Sequence, residues 1–107
     1  MTTPVPVEIS KLQAAAGQAC ALLKVLANPD RLLLLCQMSQ GDFSVGELEV
    51  LSGVQQPTLS QQLTVLRAEN LVSTRREGKQ IFYTVASDEA MAVLQLLYQL
   101  YCPQDGE

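Results

Sequence analysis

Residues 44–67, SVGELEVLSGVQQPTLSQQLTVLR, decide the fold. Ser44 and Glu47 have the spacing of a capping box, and Phe43 and Leu48 that of a hydrophobic staple. Together they predict a helix starting at about Val45. Val45, Leu48 and Leu51 supply its apolar stripe. Gly53 stands where a left-handed residue ends a helix. Pro57 suits the first turn of a second helix, in which Leu59, Leu63 and Leu66 repeat at i, i+4 and i+7 to give one buried face. Asn70 tolerates the left-handed conformation and so ends that helix. Two short helices joined by a tight glycine turn form the outline of a helix-turn-helix.

The face opposite those leucines holds the polar chemistry. Thr58, Gln61, Gln62 and, more laterally, Ser60 are expected to point outward, with Gln55 and Gln56 at the entry. Glutamine can bond adenine through both amide atoms in the major groove, and Ser or Thr hydroxyls can reach bases or phosphates. The N-terminus of the helix also suits a phosphate. The competing interpretation is a neutral solvated face, since glutamine is an ordinary helix former. Exposed helices, however, usually carry more Lys and Glu than this one. The next segment, VSTRREGKQIFYTV at 72–85, predicts a β-hairpin with Val72 and Thr74 alternating on one arm and Ile81, Tyr83 and Val85 on the other. Arg75, Arg76 and Lys79 crowd its tip around Gly78. A basic hairpin directly after such a helix is a wing, lying over the DNA backbone or minor groove and adding salt-dependent affinity. The alternative is a charged turn that blocks edge pairing.

Net charge is −4 over 107 residues, which at first argues against a polyanionic partner. The distribution removes most of that objection: residues 55–83 carry +2 and the remainder −6. An acidic body discourages non-specific binding, so affinity should rest on specific contacts and on dimerisation. The length fits one domain, expected at 10–102, between a flexible arm at 1–9 containing Pro4 and Pro6 and a tail at 103–107. No apolar run approaches about 20 residues and no basic–apolar–small leader is evident, so a cytoplasmic chain with no membrane partner is expected.

The outer helices point to a dimer. Lys11–Leu26 is rich in alanine, which allows close helix approach. Asn28 and Pro29 predict the N-cap and first position of a helix running to about Gln40. The last helix begins with Ser87 as cap and Asp88 and Glu89 in its first turn, where acids favour the macrodipole. It continues as AMAVLQLLYQLYC, interrupted only by Gln95 and Gln99. A helix apolar nearly all round should be buried, and one small domain has little interior for both ends. They are expected to pack against the same helices of a second copy. A two-fold dimer would present two reading helices to successive major grooves of an inverted-repeat operator.

Helix, helix, helix-turn-helix, wing and terminal helix resemble the ArsR/SmtB family of small winged-helix repressors. LANPDRLLLL, SVGELEVLSGVQQPTLSQQLTVLRAENLV and RREGKQIFYTV carry the resemblance, which covers about Leu12 to Cys102. It implies a mainly α fold of order α-α-α-α-β-β-α, a homodimer through the first and last helices, and DNA release when an inducer is sensed. Metal-sensing members commonly place Cys-x-Cys in the first helix of the helix-turn-helix, where this chain has VGELEVL, or use His on the terminal helix, and this chain has no His. Zinc and nickel sites lean on His or several thiolates, so no metal and no cofactor is expected.

Three cysteines remain, Cys20, Cys36 and Cys102, on separate expected elements. Their default is buried and inert. Cys36 in RLLLLC and Cys102 in LYQLYC nevertheless resemble the pair in the thiol- and persulfide-sensing branch of the family (the biofilm growth-associated and sulfide-responsive repressors and the vibrio haemolysin regulator). That resemblance implies that persulfide or oxidant bridges Cys36 and Cys102 and weakens operator binding. A metal-responsive or anti-repressor regulator with structural cysteines is the alternative, and a protein-interaction module that does not touch DNA a remoter one. An enzyme is not expected, because C-x-x-C, any Cys–His pair and a phosphate loop are all missing.

Overall fold

The computed structural model describes residues 8–102, so most of the expected arm and the whole expected tail lie outside the described residues. Five helices and three strands follow in the order α1 (Ile9–Leu26), α2 (Pro29–Met38), β1 (Phe43–Ser44), α3 (Val45–Ser52), α4 (Thr58–Ala68), β2 (Val72–Glu77), β3 (Gln80–Val85) and α5 (Asp88–Tyr101). The expected winged helix-turn-helix is present, with one added strand. Ile9 is the first residue of α1, so the helix starts inside the stretch expected to be arm.

Local chemistry sets most of the ends. The Asn28 side chain accepts from Arg31 N at 3.1 Å and Pro29 opens α2. Both capping-box bonds form at α3: Ser44 Oγ accepts from Glu47 N at 3.2 Å, and Ser44 N donates to Glu47 Oε1 at 2.9 Å. Gly53 follows at φ 77°. Asn70 takes φ 61°, and Leu71 N reaches back to Leu66 O at 3.0 Å, which is a Schellman closure of α4. Ser87 caps α5 by accepting from Ala90 N at 3.0 Å.

The core lies between α2, α3, α4 and the sheet. Leu34, Leu35 and Met38 of α2, Leu48 of α3, and Leu59 and Leu66 of α4 are completely buried. The stripe expected on α3 is only partly right, because Leu51 is exposed while Val54, beyond the glycine turn, is buried. Residues spaced i, i+3, i+6 drift by about 60° per step around an α-helix, so a third member has left the face. Residues 43–44 form the unexpected strand: β1 pairs antiparallel with β3, Phe43 opposite Tyr83, in a sheet of order β1-β3-β2. This ties the entry of α3 to the wing. By contrast, every residue from Glu8 to Ala21 is exposed, and α5 buries only Ala90 and Leu94. Among the described residues, no helix is long and apolar enough to cross a membrane.

Candidate nucleic-acid interface

The buried leucines of α4 turn the opposite face to solvent. Gln61 and Ser60 are exposed there, and Thr58 is half-buried at the first turn. Thr64 is exposed on the same face, its Oγ1 donating to Ser60 O at 2.8 Å. Sequence reasoning passed over Thr64, although it stands i+3 from Gln61 and i+4 from Ser60. The glutamines differ in what they already bond. Gln56 Oε1 accepts from Ser60 N at 3.0 Å and so caps α4, whose N-cap residue Pro57 has no side chain to do it. Gln55 is exposed, its Nε2 only 3.5 Å from Gly53 O. Gln62 departs from expectation: it is half-buried, and its Oε1 accepts from Arg31 Nη1 at 3.1 Å. It lies next to Leu63, on the flank of the buried stripe, where α2 is within reach. Among the described residues, no side-chain hydrogen bond engages Gln61.

The wing is a two-residue hairpin, Gly78 at φ 61° and Lys79 joining β2 to β3. Its three cations do not stand together. Arg75 faces Phe82 across the ladder and lies 4.8 Å over that ring. It pairs with Asp42 at 3.0 Å and with Glu77. Arg76, one residue on, takes the other face, where its Nε donates to Gly78 O at 3.2 Å. Lys79 is exposed at the turn. The tip is therefore carried by Arg76 and Lys79, while Arg75 is turned toward the body by strand alternation and an acid from the segment before β1.

Cys36 on α2 and Cys102 at the C-cap of α5 line one cleft of about 530 Å³ between those helices, with Leu33, Leu94 and Tyr98 on its apolar side. No charged side chain is among its described lining residues. Burial pushes the Cys36 thiol above its ordinary value, and the nearby charge of Cys102 adds to that. Cys20 is exposed on α1 and lines a different hollow, with Lys24 and Arg31. None of the three is in a disulfide. Among the described residues, no three His, Cys, Asp or Glu side chains converge to hold a metal ion.

The family model described as bacterial regulatory protein, arsR family, matches residues 28–74, from the cap of α2 into β2. The chain is 49% identical over 96 residues to the biofilm growth-associated repressor of Agrobacterium fabrum, covering 90% of this chain and 82% of that protein. It is 40% identical over 97 residues to the transcriptional activator HlyU of Vibrio cholerae, covering 91% and 90%. The crystal structure of the transcriptional repressor BigR from Xylella fastidiosa superposes with a TM-score of 0.83 at 45% identity, covering 92% of this chain and all of that one. With α4 polar on its outer face and a basic hairpin beside it, the chain belongs to the ArsR family of winged-helix DNA-binding transcriptional regulators, which are not enzymes.

Proposed function

We propose that this protein is a homodimeric repressor that holds an inverted-repeat operator while Cys36 and Cys102 are reduced, and releases it when they are bridged. One observation carries this: two thiols from helices far apart in sequence line a single uncharged cleft. Gln61, Ser60 and Thr58 contact bases or nearby phosphates from the major groove, and Arg76 and Lys79 contact the backbone from the wing. The exposed apolar surfaces of α1 and α5 supply the subunit contact, which puts two copies of α4 on successive grooves. The protein acts in the cytoplasm, where its operator is.

The bridge forms by thiol exchange with a reactive sulfur species. With an organic trisulfide as donor, one cysteine thiolate attacks the central sulfur and expels a thiolate. The second cysteine attacks the same sulfur and expels the other. Two protein thiols lose two electrons, one sulfur is inserted between them, and two small thiols leave with both protons. A hydroperoxide instead gives a direct disulfide, an alcohol and water. A direct disulfide needs Cα atoms about 4.4–6.8 Å apart, and an inserted sulfur relaxes that limit. The bridge pins α2 to α5 and favours a conformer with misplaced reading helices. A coupling of about 1–3 kcal/mol changes operator affinity roughly 5- to 150-fold.

The test is operator binding by Cys36→Ser and Cys102→Ser. Each should bind as tightly as the reduced protein and ignore polysulfide. Full release from both single variants would sink the switch. One relative is named a repressor and another an activator, so the sign depends on whether the operator overlaps a promoter or a competing protein's site. A reporter fused to the upstream region reads this directly.

A further inference from the structure

We propose that Arg31 is the positioning residue of the DNA-reading surface, and that Gln62 is its acceptor instead of a base-reading side chain. The proposal rests on α4 being the helix that contacts DNA. Arg31, half-buried near the start of α2, bonds two other helices with one guanidinium. Its Nε donates to Val25 O at 2.8 Å and its Nη2 to Lys24 O at 3.4 Å. Those carbonyls lie in the last turn of α1, where helical acceptors lack partners and a cation suits the dipole. Its Nη1 donates to Gln62 Oε1 at 3.1 Å. The side chain thus fixes the second turn of α4 against the junction of α1 and α2.

The chemistry of the pair decides what Gln62 can do. Arginine has donors and no acceptor, so the Gln62 amide must turn its oxygen to Arg31. Bidentate adenine recognition uses that oxygen as well as the NH₂ group. That oxygen keeps a second lone pair, but its bond to Arg31 holds it toward α2 on the flank of α4, so Gln62 does not turn both amide atoms to one base edge. Gln56 is committed in the same way by Ser60 N. Gln61 is the glutamine of α4 left to read a base with both atoms.

The experiment measures anisotropy of the reduced protein on its upstream DNA, on single-base-pair variants of that DNA, and across a salt series. Arg31→Met, Gln62→Met and the double variant are compared with wild type, with thermal melts alongside. Each single change should weaken operator binding about five- to tenfold, and the double change should weaken it no further than the worse single. The base preferences should stay unchanged. The salt slope should also hold within about half a unit, because neither side chain is assigned a phosphate. Three results would overturn the proposal: additive losses, a preference relaxed at one base pair by Gln62→Met alone, or a slope lowered by about one unit in Arg31→Met. If Arg31→Met fails to fold, Gln62→Met decides alone, uniform loss supporting the clamp and local loss of preference refuting it. Wild-type protein with no preference for its upstream DNA would remove the DNA-contact reading and this proposal together.

Discussion

Helices α4 and α5 each pack one apolar face on the core, yet their outer faces differ in chemistry. α4 buries Leu59, Leu63 and Leu66 inside its own chain and turns Ser60, Gln61 and Thr64 outward. α5 buries only Ala90 and Leu94 and leaves Leu100 63% and Tyr101 78% exposed. The outer face of α4 is matched to a polar partner and that of α5 to an apolar one. The difference teaches that one chain exposes two surfaces of distinct chemistry, held by a single core around α2. The thiol cleft lies where α2 meets α5, so under the proposed switch a bridge there would act on the element that joins the two surfaces.

The comparison breaks most visibly at the buried side. Leu66→Ala removes a fully buried side chain and should cost about 2–5 kcal/mol of unfolding free energy, read by denaturant titration. A loss below about 0.5 kcal/mol would mean that α4 is not anchored by its leucines. Leu100→Glu tests the opposite helix. It should convert a sedimenting dimer to monomer and weaken operator binding about tenfold or more, since two linked half-site contacts become one. An unchanged sedimentation coefficient would remove α5 from the subunit contact. The smallest effect concerns the cleft itself. Alkylation of Cys36, followed by peptide mass, should rise with pH to an inflection above the ordinary cysteine value, because burial and the neighbouring charge both favour the thiol. Cys102→Ser removes the lesser cause, so the inflection should move down yet remain raised by burial. An inflection that does not move would show that the two thiols do not sense each other.

How much was legible in the sequence follows from the range of each interaction. The caps at Asn28, Ser44 and Ser87 and the left-handed Gly53 and Asn70 depend on residues three or four positions away, and local spacing displays them. The buried leucines of α4 obey one helical period. The exceptions are long-range pairings. Arg75 is held toward the body by Asp42, and the Gln62 amide toward α2 by Arg31. β1 exists only because Phe43 meets Tyr83. None of these partners shares a local pattern with the residue it captures. Strand alternation alone would have separated Arg75 from Arg76, and the helical period would have put Gln62 on the flank and Thr64 outward.

Under the proposed switch, the thiol pair controls operator affinity. The most direct measurement is fluorescence anisotropy of the protein on its own upstream DNA, reduced and then treated with polysulfide, with intact mass recorded on both samples. Binding should be tight when the protein is reduced and lost on treatment, together with a mass gain that fits a sulfur bridge between Cys36 and Cys102. Binding unchanged while the bridge mass is present would contradict the switch, leaving a DNA-binding regulator whose cysteines serve the fold.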